Sequence, residues 1–141
     1  MRLMDRQHPV SEEEHEAWFT TVVNGDRCAY FAIETVEEGS HIGNVWLWDI
    51  DRRHRKAEVR VVVGADEARG RGLGAEAIDQ VCRHAFDRLG LHRVYAYVLA
   101  LNPGGRRAFQ RAGFALEGTL RDDRWDGDRF VDACLLARVN G

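Results

Sequence analysis

The sequence is short of several things, and each shortage removes a class of protein. Lysine occurs once, at Lys56, and 20 Lys and Arg face 23 Asp and Glu for a formal net charge of −3. A nucleic-acid binder carries a basic excess, so that class finds no support, and aromatic stacking through tryptophan does not rescue it. There are three cysteines, Cys28, Cys82 and Cys134, far apart and each in an apolar run. That pattern reads as buried thiols rather than a disulfide framework. No Cys-x-x-Cys or His-x-x-x-His pair occurs, so no metal is expected. No signal-peptide pattern and no run of about 18 apolar residues appears in the sequence, which leads to the expectation of a cytoplasmic protein that does not enter membranes. Internal repeats and low-complexity linkers are also missing.

What is there suits a single globular domain over residues 1–141, with 45% hydrophobic and 30% charged residues. One stretch organises the rest. Arg69-Gly70-Arg71-Gly72-Leu73-Gly74 lies between the apolar, β-branched run Ala57–Val63 and a series at helical spacing: Leu73, Ala77, Ile78, Val81, Cys82, Ala85, Phe86 and Leu89. A glycine-rich turn therefore opens a helix. Glycine lets the backbone approach a ligand closely, and the first free N–H groups of the helix point at what sits there. An anion is the natural occupant and a diphosphate fits best. No Gly-Lys-Ser/Thr follows, which rules out the nucleotide-triphosphatase loop, and the glycine spacing is wrong for the dinucleotide fingerprint. A tight structural turn is the remaining alternative.

In chain order, Ser11-Glu12-Glu13-Glu14 reads as a capping box opening a helix to about Val23, with Ala17, Trp18 and Val22 as its buried stripe and Asn24-Gly25-Asp26 as its end. Strands are expected at Cys28–Glu34, His41–Ile50 and Ala57–Val63, joined by short turns as an antiparallel meander. The glycine-loop helix follows, closed by Gly90, and then a parallel strand at Arg93–Val98. Asn102 and Pro103 are N-cap and first residue of a short helix that ends at Gly113. Strands at Phe114–Leu120 and Phe130–Val139 finish an α+β mixed sheet.

Four blocks now stand in order: Ala57-Glu58-Val59; Val63-Gly64 leading to Arg69-x-x-Gly72-x-Gly74-x-Glu76-Ala77; Leu91-His92-Arg93; and Asn102 leading to Ala112-Gly113-Phe114-x-x-Glu117-Gly118-x-Leu120-Arg121. Gly127-Asp128-x-x-x-Asp132 follows them. Together they resemble the GCN5-related N-acetyltransferase (GNAT) superfamily, in the branch of the spermidine and ribosomal-protein N-terminal acetyltransferases. The resemblance spans Trp18 to Leu136.

The resemblance implies a mostly antiparallel sheet splayed at its central strand, with helices on both faces and acetyl-CoA as co-substrate. It implies that backbone groups of Val61, Val62 and Val63 hold the pantetheine arm, as an added strand would. Amides of Arg69, Gly70, Arg71, Gly72, Leu73 and Gly74 would hold the pyrophosphate. Asn102 would touch the coenzyme, or serve only as an N-cap. Glu58 stands where relatives carry a general base, its alternative being a salt bridge to Arg60 or a neighbouring strand; Glu34 and Asp51 are weaker candidates.

Two departures matter. Phe109 replaces a tyrosine that protonates the leaving thiolate in many relatives, leaving Tyr95 and Tyr97 as remote substitutes. The chain also starts too late for the family's N-terminal strand and short helix. The resemblance then implies a more open site, one completed by a partner subunit, or a shortened chain.

The function implied is acetyl transfer to a primary amine, either a small amine such as a polyamine or amino sugar or a protein N-terminus. Glu34, Asp51 and Glu58 favour a cationic acceptor. A catalytically weak acyl-CoA-binding module is the alternative from another class. A homodimer through the C-terminal strands is the expected assembly, helped by apolar surface at Trp18 and Phe19.

Overall fold

The computed structural model describes residues 17–24, 27–35, 41–64 and 72–141. They form β1 (Ala17–Asn24), β2 (Ala29–Thr35), β3 (His41–Asp51), β4 (Lys56–Val63), α1 (Leu73–Asp87), β5 (Arg93–Leu99), α2 (Pro103–Arg111), β6 (Ala115–Trp125) and β7 (Phe130–Val139). One seven-stranded sheet runs in the order β1-β2-β3-β4-β5-β7-β6. Each neighbouring pair is antiparallel except β4 and β5, which the crossover through α1 makes parallel. The α+β mixed sheet expected from the sequence is therefore present.

The helix expected over 11–23 is corrected. Residues 17–24 are β1, paired with β2 from Ala17↔Thr35 to Asn24↔Ala29, while 11–16 lie outside the described residues. Thr20, Thr21, Val22 and Val23 are four β-branched residues in succession, which lose side-chain freedom in a helix and suit a pleated edge. The sheet thus has one more strand at its N-terminal edge than the sequence reading allowed.

Strand alternation puts Phe31, Ile33, Val45, Leu47, Ala57, Val59, Val94 and Ala96 in one core, and α1 lays its expected stripe of Leu73, Ala77, Ile78, Val81, Cys82 and Ala85 into it. From α2 comes Phe109, edge-on to Phe114 with ring centroids 5.0 Å apart. Helices were expected on both faces. Among the described residues both share one face, because Arg138 of β7 reaches Asp79 of α1 at 2.8 Å and the Ala112 carbonyl at the end of α2 at 2.9 Å. The same guanidinium lies 5.6 Å from the Phe86 ring centroid. Beneath it, burial pushes the Cys82 thiol up to about 12, with Arg138 opposing and Asp79 adding.

Candidate active site: a cleft where two parallel strands part

β4 and β5 pair only at Lys56↔Arg93, Ala57↔Val94 and Glu58↔Tyr95. Beyond Glu58 the two strands separate, although β4 stays paired with β3 to Val63 and β5 with β7 to Leu99. The gap continues into a cleft of about 560 Å³ lined by Val61, Val63 and Gly64 of the β4 end, Gly72, Gly74, Ala75 and Ile78 of α1, and Asn102, Gly104, Gly105, Arg107, Ala108, Phe109 and Arg111 on and around α2.

Backbone parity decides which part of β4 faces this gap. The Gly64 N–H donates to the Ile42 carbonyl at 2.7 Å, so the even-numbered residues of β4 turn their polar groups towards β3. The Arg55 carbonyl accepts from the His92 N–H at 2.7 Å, so the odd-numbered ones turn towards β5. A strand alternates strictly, which leaves the N–H and C=O of Val61 and Val63 directed into the opened gap. Val62 is a correction to the sequence reading. Its carbonyl points at Gly43 on β3 and its side chain is largely exposed. Gly43 allows that approach, since a Cβ there would also lie 2.8 Å from the Val63 Cα.

At the far wall, Gly72 is the N-cap of α1, its φ of 70° is left-handed, and among the described residues no side chain caps the helix N-terminus. The Glu76 N–H is the first to bond within the helix, to the Gly72 carbonyl at 3.0 Å. The first-turn amides lie at the cleft, which is the arrangement that receives an anion. Arg69, Gly70 and Arg71 lie outside the described residues. Asn102 is an N-cap as expected: its Oδ1 accepts the Gly105 N–H at 2.9 Å, and a Cβ on Gly105 would come within 2.6 Å of the Asn102 Nδ2. Arg107 and Arg111, one helical turn apart on α2, put two cations on the cleft wall. Their i, i+4 spacing behind the Asn-Pro start is visible in the sequence, and the sequence reading missed it.

Glu58 stands at the vertex of the gap, on the sheet face away from α1. It is mostly buried, 14% exposed, and accepts from Arg60 Nε at 3.0 Å. The ion pair with Arg60 is the structural alternative that the sequence offered for Glu58. Tyr95 is directly opposite Glu58, and its hydroxyl is pushed up by burial and by the nearby Asp49 and Glu58 carboxylates. Tyr97 lies edge-on to Tyr95 at 6.0 Å. The weaker candidates lie elsewhere. Asp51 Oδ1 accepts the N–H groups of Arg53 at 3.0 Å and His54 at 2.9 Å, tying up a turn. The His54 N–H bond holds its carboxyl below the usual range. Glu34 is on β2, two strands from β4. Phe109 lines the cleft where a tyrosine was sought, and no hydroxyl or carboxylate accompanies it among the described lining residues.

A family described as Acetyltransferase (GNAT) domain matches residues 1–115. The chain belongs to this GNAT acetyltransferase family. It is an N-acetyltransferase domain, and the reaction of such a domain is acetyl transfer from acetyl-CoA to an amine. The spermidine N(1)-acetyltransferase of Vibrio cholerae is 28% identical over 122 residues, covering 86% of this chain and 69% of that protein. The probable N-acetyltransferase YjcK of Bacillus subtilis is 37% identical over 114 residues, covering 79% of this chain and 61% of that one. The chain thus spans about two thirds or less of the length of these relatives. Among solved structures, the Vibrio cholerae spermidine N-acetyltransferase in complex with CoA and spermine matches with a TM-score of 0.74 and 27% identity, over 81% of this chain and 66% of that one.

Proposed function

We propose that this chain, as one domain over 1–141, acetylates a cationic primary amine of the polyamine type. The observation that carries this reading is the parting of β4 and β5 beside the N-terminus of α1, with Glu58 at the vertex. The cleft fits the coenzyme in kind: the Val61 and Val63 backbone groups would pair the amides of the pantetheine arm, and the first-turn amides of Gly72, Leu73 and Gly74, joined by Arg69, Gly70 and Arg71, would hold its diphosphate. Arg107 and Arg111 would add charge for the phosphates, and Asn102 would shape the opposite wall. Bound acetyl-CoA supplies the activated acyl group. Glu58 takes the proton from the acceptor's ammonium, directly or through a water, since only the free amine is a nucleophile. The similarity to spermidine acetyltransferases and the Glu58 carboxylate at the vertex support a cationic acceptor. Chemistry in the cytoplasm is proposed with it. A homodimer through the β6–β7 hairpin, whose Leu116, Trp125 and Phe130 are exposed, is the proposed assembly, checked by light scattering.

The test is a panel of polyamines, amino sugars and N-terminal peptides with acetyl-CoA, following release of the free thiol. Polyamine-dependent release supports the reading. Micromolar coenzyme binding with no release on any amine would instead identify an acyl-CoA-binding module, the reading that Phe109 favours.

A further inference from the structure

On the sheet face away from α1, Glu58, Arg60 and Trp48 lie together. Trp48 is the cross-strand partner of Glu58 on β3, and Arg60 is the next residue of β4 on the same face. The Arg60 guanidinium donates to the Glu58 carboxylate at 3.0 Å and lies 5.3 Å from the centroid of the Trp48 ring, which is 46% exposed. A carboxylate beside the face of an open indole is what an alkylammonium needs for recognition: a counter-charge, and a quadrupole that attracts cations without hydrating them. Here the chain fills that place with its own cation, beside the gap at whose vertex Glu58 stands.

We infer that Glu58 and Trp48 form the docking site for the acceptor's ammonium group and that Arg60 is an internal competitor which must swing aside for it. This rests on the proposed acetyl transfer to a cationic amine and adds how the acceptor is admitted. Arg60 has the freedom to leave, since its side chain is 46% exposed while that of Glu58 is 14% exposed. It is a specificity-determining residue rather than a catalytic one. A neutral acceptor cannot displace a guanidinium from a carboxylate, so Arg60 also screens acceptors by charge.

Removing the competitor tightens the site. The ion pair, open to solvent at its Arg60 end, and the cation–π contact together weigh on acceptor binding by roughly threefold to thirtyfold. The experiment titrates spermidine into the wild-type protein and the Arg60→Gln variant, both holding CoA, and follows the Trp48 indole N–H signal by NMR, assigned with Trp48→Phe. The expected result is movement of that signal in both proteins, with half-saturation lower by that factor in Arg60→Gln. Arg60→Lys, which keeps the charge and gives up the planar stacking, should fall between them and serves in its place should Arg60→Gln not fold. Equal or weaker spermidine binding without the Arg60 guanidinium, or no response of Trp48 in any variant, overturns the inference. Thiol release measured alongside separates the two levels: tighter docking with no turnover on any amine sinks acetyl transfer and leaves the docking site, whereas turnover with unmoved half-saturation does the reverse.

Discussion

Replacing Gly74 with alanine should move stability and coenzyme affinity in opposite directions. Gly74 is the second residue of α1, its φ is not among the positive ones, and a Cβ there meets no described atom within 4 Å. As far as the fold is concerned, Gly74→Ala is free of strain and gains helix propensity, at most about 1 kcal/mol and less in a first turn. The proposed diphosphate, however, must reach the amides that the new methyl would shield. A hydrogen bond to a charged group is worth about 1.5–3 kcal/mol, so loss of one contact predicts CoA binding weakened about tenfold to hundredfold. Calorimetry with CoA and a thermal melt of the same sample measure both. Gly72→Ala is the contrast: its φ of 70° forces alanine into a left-handed conformation that costs about 1–2 kcal/mol, so that variant should melt earlier. A Gly74→Ala protein that melts no earlier than wild type and binds CoA as tightly as wild type would remove the anion-site reasoning.

Glu58→Gln should lower kcat by about 10²–10⁴ with coenzyme affinity unchanged, and the residual activity should rise with pH as more free amine becomes available; near wild-type turnover at neutral pH would end its role as base. Arg107→Ala and Arg111→Ala should each raise the KM for acetyl-CoA and flatten its dependence on salt, which steady-state kinetics at two ionic strengths will check. The Cys82 thiol, raised from 9.0 to about 12, contributes stability that is fully present below pH 9 and lost as pH rises towards 12, because the unfolded thiol ionises first. Urea unfolding between pH 8 and 11 should show that alkaline decline in the wild type and a shallower one in Cys82→Ala.

Much of this was legible because local chemistry and fold agree. The α1 stripe, the Asn102 cap and the positive φ of Gly90 and Gly113 are each set by residues within one turn of themselves. Most of the failures share another cause, dependence on a partner distant in sequence. Thr20–Val23 became a strand because β2 offers an edge to pair with, and a capping signal upstream carries no information about that edge. Val62 was grouped with Val61 and Val63 because composition cannot distinguish odd from even positions; only the register with Ile42 does. Asp51 is the exception with a local cause, since the N–H groups of Arg53 and His54 in its own turn take up its Oδ1. The set at Glu58, Arg60 and Trp48 needed the β3–β4 register, which the hairpin turn fixes and no motif encodes.

Arg138 lines no part of the cleft, yet it fastens both of the helices that wall it to β7. The width of the cleft is therefore a property of the C-terminal hairpin as much as of the glycine turn. A substitution there would be mistaken for a coenzyme-binding defect in any assay that measures only affinity.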